Sequence, residues 1–138
     1  MYNIEKTNYG FHITFSGKMS EAEAVEFKEE VESILPSLEH PWSSIVDLRT
    51  WVPAEPTVLE LLRQVEQLSK SHGLQRRAII AYSPVIKGQA SQLSLVSETN
   101  DSERFIDASK LENWEEQAIG WAANAVEPTA KSCTRAPI

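Results

Sequence analysis

Cysteine is nearly absent from this chain: 138 residues carry one thiol, Cys133. One thiol cannot close an internal disulfide, so nothing in the sequence demands an oxidising compartment. Long apolar runs are missing too, which argues against a membrane-spanning helix. The opening MYNIEKTNYG lacks the charged-then-apolar order of a secretory leader, and these absences together lead to the expectation of a cytoplasmic protein. Basic residues are in deficit: 13 Lys and Arg stand against 20 Asp and Glu, a net charge of −7. Binding phosphate backbones requires dense Lys and Arg, so no nucleic-acid partner is expected. The three histidines, His12, His40 and His72, show no ligand spacing, and neither a metal nor a cofactor is expected. There is no Gly-rich phosphate loop and no Gly-x-Ser-x-Gly elbow. No acid–base pair or nucleophile with an evident partner can be located, so the expectation is a protein that is not an enzyme.

What is present is an ordinary soluble globular composition, 41% apolar and 24% charged, in a length that suits one domain. Phe11, Ile13 and Phe15 alternate with His12, Thr14 and Ser16, the period of a half-buried strand. With YNIEK before it and Asn8 and Gly10 in the turn, the segment reads as a β-hairpin. Ser20 followed by Glu23 makes a capping box for a helix whose apolar face is Ala24, Phe27, Val31 and Ile34, and Pro36 ends or kinks that helix. WSSIVDL reads as a strand ending at Asp47-Leu48. TVLELLRQVEQLSKSHG reads as the next helix, striped by Val58, Leu61, Leu62, Val65 and Leu68, with Gly73 at the left-handed cap position.

RAIIAYS is apolar on both faces, as a strand inside a covered sheet should be. Ser83-Pro84 offers an N-cap and a proline at the first helical position, opening a helix over VIKGQASQLSLVSE. ERFID is a short strand, and Ser109 with Glu112 forms another capping box before a helix lined by Leu111, Trp114, Ala118, Trp121, Ala122 and Ala125. The order is β-β-α-β-α-β-α-β-α. It predicts an α/β domain over residues 1–126, a mixed, mostly parallel sheet of about five strands with about four helices, and a flexible tail over 127–138.

The stretch VDLRTWVPAEPTVLELL holds the best candidate for a working surface. Asp47 ends a central strand, where α/β sheets place their ligand sites, although such an aspartate often only bonds loop backbone. Thr57 and Glu60 read as a capping box, with the hydroxyl bound to the Glu60 N–H and worth ~1 kcal/mol. Arg49, Trp51 and Arg63, with Lys87 further along, are candidates for the rim of a shallow pocket. Lys70, Arg76 and Arg77 read as a small solvated basic run. Trp42 and Trp51 are expected to pack over the ends of the core.

Three segments resemble the STAS domain family, and particularly its SpoIIAA-like branch: YGFHITFSGKMSEAEAVEFK, SSIVDLRTWVPAEPTVLELL and RFIDASKLENWEEQAIGWAAN. The last is similar to that branch's closing unit, with Arg104-Phe105-Ile106-Asp107 and then Ala118-Ile119-Gly120-Trp121. The resemblance covers roughly residues 4–126 and implies the family's α/β fold. In the family's anti-sigma factor antagonists, a kinase phosphorylates a serine in the loop before the second helix. That motif falls here on Glu55-Pro56-Thr57-Val58, so the resemblance implies Thr57 as the phosphorylated position and Glu55 in place of the motif's aspartate. Pro56 and Val58 depart from the pattern. A phosphate there would meet a helix N-terminus but be opposed by Glu55.

Two functions follow as expectations. The first is a non-enzymatic regulatory or protein-interaction module in a bacterial cytoplasm, with a protein partner or kinase, switched at Thr57. The second is a small-molecule or lipid-binding domain, using a cleft at the strand C-terminal ends near Asp47, Trp51 and Ser83. Association with a second copy is left open by both.

Overall fold

The computed structural model describes residues 1–82, 102–110 and 112–128. The opening hairpin forms as its alternation requires: β1 (Tyr2–Lys6) pairs antiparallel with β2 (Gly10–Gly17). Then come α1 (Glu21–Ile34), a single 3-10 turn at Leu35–Ser37, β3 (Trp42–Trp51), α2 (Pro56–Ser71), β4 (Leu74–Ala81), β5 (Glu103–Asp107) and α3 (Trp114–Asn124). The strands lie in chain order in one five-stranded sheet, and β2 to β5 are mutually parallel. Among the described residues there are three α-helices. The helix expected to open at Ser83-Pro84 lies outside them, and with it Ser83 and Lys87. Cys133 and Leu111 are also outside.

Helices cover both faces of the sheet. On one, Phe27 and Val31 of α1 and Leu62 and Val65 of α2 meet Phe11, Phe15, Val46 and Ile79. On the other, Ala118, Trp121 and Ala122 of α3 meet Ile45, Ala78, Ile80 and Ile106. Burial of Ala78, Ile79 and Ile80 alike follows from this double cover, because successive strand residues point to opposite faces.

Local chemistry explains several boundaries. Ser20 is the N-cap of α1, its Oγ accepting from the Glu23 N–H at 3.1 Å. Pro36 sits in the 3-10 turn that closes α1. Gly73 follows α2 with φ +97°. A Cβ there would stand 2.1 Å from His40 Nδ1, so both the backbone conformation and the space favour glycine.

Other expectations are corrected. Strand β3 runs on to Trp51 instead of ending at Asp47-Leu48, because β2 continues to pair with it through Ser16↔Thr50 and Gly17↔Trp51. Helix α2 starts at Pro56 with Glu55 as N-cap and no side-chain cap, so Thr57 is inside the first turn and does not cap it. A proline at N1 has its φ already set for the helix and no N–H to satisfy, which moves the start one residue back. The expected box at Ser109 and Glu112 does not form either. The N-cap of α3 is Asn113, and the Ser109 hydroxyl and N–H both turn back to Asp107 Oδ1. Ala125 leaves the apolar face and ends α3 in the left-handed conformation, φ 57°.

Candidate functional site

The residues at the carboxyl end of β3 are sorted by a β-bulge. Thr14 pairs with Asp47 and Ser16 with Thr50, so Leu48 and Arg49 together oppose Phe15. The extra residue shifts the alternation by one beyond that point. Asp47 and Arg49 therefore lie on the α3 face, while Trp51 turns to the α1–α2 face and packs with Phe15 at 5.8 Å between ring centroids.

Asp47 is 4% exposed, and its carboxylate is engaged by its own strand. It accepts from the Arg49 backbone N–H at 3.0 Å, from Nε at 3.0 Å and from Nη2 at 2.8 Å. The Arg49 guanidinium in turn lies 3.9 Å from the centre of the Trp114 ring. Its hydrogen bond to Asp47, with a smaller share from Tyr82, holds Arg49 charged against partial burial. The group is a closed relay: carboxylate, bidentate guanidinium, indole face. It ties α3 to the sheet.

The loop after β3 is different. Val52 is 46% exposed, whereas Ala54 is buried in the core and anchors the loop's middle. Pro53, Glu55, Pro56 and Thr57 are exposed. Glu55 pairs with Lys18 at 2.9 Å, which links this loop to the one between β2 and α1. The Lys18 hydrogen bond lowers the Glu55 pKa below the ordinary carboxylate range. Thr57 occupies the first turn of α2, where the leading N–H groups have no intrahelical partner. Arg63 lies further along α2 and pairs with Glu60, so it stands apart from Asp47 and Arg49.

Of the sequence-predicted residues, the structure brings Asp47 and Arg49 together, places Glu55 and Thr57 on one exposed edge, and turns Trp51 away into the core. Ser83 is outside the described residues. Among these, no group of three or more His, Cys, Asp or Glu is placed to hold a metal ion. No helix among them is long and apolar enough to cross a membrane.

Sequence reasoning missed a buried ion cluster. Arg77, read as solvated, is 3% exposed; its guanidinium contacts Glu66 of α2 and Glu103 of β5. Trp121 Nε1 donates to its carbonyl at 3.1 Å. Arg76 is also engaged, donating to the Trp121 and Ala122 carbonyls of α3. The available signal was position: Arg77 directly precedes a run buried on both faces, and β4 begins before it. Beside Arg77, between the sheet and α1–α2, lies an apolar cavity of about 60 Å³, walled by Phe11, Phe27, Trp42, Trp51, Val65 and Ile79. That is far below the roughly 300–1,000 Å³ of small-molecule sites.

No family model matches the sequence, and no curated protein does either. Among solved structures, the chain is similar to an uncharacterized protein of the DUF3478 family with a SpoIIAA-like fold, from Shewanella loihica PV-4. The two share 15% identity over 88% of this chain and 92% of that one, with a TM-score of 0.63. The fold is therefore SpoIIAA-like, as the three quoted segments implied.

Proposed function

We propose that this chain is a non-enzymatic protein-interaction module of the STAS type, working through the edge from Val52 to Thr57. The observation that carries the reading is the contrast along one connection. Asp47, Arg49 and Trp51 are spent on the fold, whereas Val52, Pro53, Glu55, Pro56 and Thr57 are exposed and held in place by buried Ala54 and the Lys18–Glu55 pair. An exposed loop anchored to the core at Ala54 is what a docking surface needs. The alternative, a ligand cleft at the strand C-terminal ends, loses support because Trp51 is packed into the core and Asp47 is bonded within its own strand.

Control at this edge would run through Thr57. Its hydroxyl is not the helix cap, so modification costs the helix no capping bond. A phosphate there would meet the unpaired N–H groups and positive pole of α2. It would also compete with Glu55 for Lys18 and repel the Glu55 carboxylate. The partner or kinase would then read a change of charge on a fixed scaffold.

The test is quantitative cross-linking in the native host, comparing the unaltered chain with Val52→Asp and Thr57→Glu variants of matched thermal stability. Loss of one reproducible partner in both variants supports the edge. An unchanged set of cross-linked proteins in both would sink the proposal. Peptide mapping of residues 47–63 from the same cells reads modification at Thr57 directly.

A further inference from the structure

The parallel strands have a second end, and there the described residues leave a cleft. The β1–β2 turn, the chain leading into β3 and the last turn of α3 enclose a cleft of about 540 Å³, inside the roughly 300–1,000 Å³ range of small-molecule sites. It is separate from the Val52–Thr57 edge and independent of that reading.

The wall chemistry is specific. Lys6 and Glu39 line the cleft and cancel in formal charge, and Asn8, Gln75 and Asn124 add three amides. An amide offers both donors and an acceptor, which matches a ligand hydroxyl that both donates and accepts. Tyr9 supplies half-buried aromatic surface, Trp42 closes the core side, and Ala122 and Ala123 leave the α3 side without bulk. A ligand of either sign meets one like and one opposite charge, so the lining gives a net charge no advantage.

Ser43, next to the lining residue Trp42, does not itself line the cleft but shapes its floor through the backbone. Ser43 is fully buried, and its Oγ has no hydrogen-bond partner among the described residues. It follows Trp42 in the chain, and its N–H donates to the Tyr9 carbonyl at 2.8 Å. Gly10 lies opposite, where a Cβ would stand 2.0 Å from the Ser43 carbonyl oxygen. Glycine thus lets the turn close tightly against β3.

We infer that this cleft binds a small neutral polyhydroxylated molecule, a sugar or polyol, with its hydroxyls paired to the Asn8, Gln75 and Asn124 amides. The experiment is an amide NMR titration of the full chain with glucose, maltose and sorbitol, using glucosamine and glucuronate as charged counterparts. The expected result is saturable shifts confined to residues 7–10, Gln75 and 122–124 with at least one neutral compound. A Gln75→Ala/Asn124→Ala double variant should weaken that binding about tenfold, by loss of two hydrogen bonds. Asn8→Ala, at the exposed turn, serves as a second variant should the double one fold poorly. Absence of saturable shifts with every neutral compound through the tens-of-millimolar range overturns the inference. So does tighter binding of a charged counterpart, or unchanged affinity in the folded variants.

Discussion

Helices α1 and α2 lie on the same face of the sheet, yet they begin and end by opposite means. Helix α1 starts on a side-chain cap, Ser20, and stops at a proline-containing 3-10 turn. Helix α2 starts on a proline with no side-chain cap and stops at a left-handed glycine. The two starts look alike in sequence, since Ser20-x-x-Glu23 and Thr57-x-x-Glu60 fit one pattern. Only the first is a cap. Pro56 makes the difference, and the consequence is functional: the Thr57 hydroxyl stays on the surface, free of any role in holding α2.

The comparison can be broken most forcefully at the helix ends. Replacing Gly73 by alanine should destabilise the protein by about 1–3 kcal/mol, through the positive φ and the crowding against His40. Denaturant unfolding measures it, and a cost near zero would mean the chain leaves α2 by another route. At the starts, Ser20→Ala should cost about 1 kcal/mol, while Thr57→Ala should stay within about 0.5 kcal/mol. Equal losses would restore Thr57 as a cap and remove the argument that its hydroxyl is available.

The smallest effect is electrostatic. The Arg63 hydrogen bond holds the exposed Glu60 carboxyl down to about 2. A depressed carboxyl contributes its stabilisation above the ordinary carboxylate range, and loses it as pH falls from there toward 2. In Arg63→Ala, a carboxyl-detected NMR titration should show Glu60 raised toward the ordinary range, with only the Gln64 hydrogen bond left to lower it. Because both side chains are solvent-screened, the stability curves of variant and parent should differ only slightly, above that range, and converge in acid.

Much of the fold was legible in the residues. The β2 alternation, the Ser20 cap, the stripe of α2, the Gly73 stop and the doubly covered β4 each depend on neighbours within a few positions. The candidate site was legible only in part. Asp47 was found, but not that Arg49, two residues on, would take its carboxylate. Of the two expectations for Trp51, packing over the end of the core holds and the pocket rim does not; a bulge between two strands leaves no mark in either strand alone. Arg77 looked like a surface base because its partners lie far away in sequence, on α2 and β5.

By itself the sequence determined the order of the described elements, most of their apolar faces and the exposed, proline-framed loop before α2. These follow from backbone preferences and periodicity, which act locally. Tertiary structure decided which face each residue of β3 would take, that Arg77 would be buried between two carboxylates, and that the amino ends of the strands would form a polar cleft. Those outcomes rest on register and on pairs of groups dozens of residues apart, brought together only when the sheet assembles.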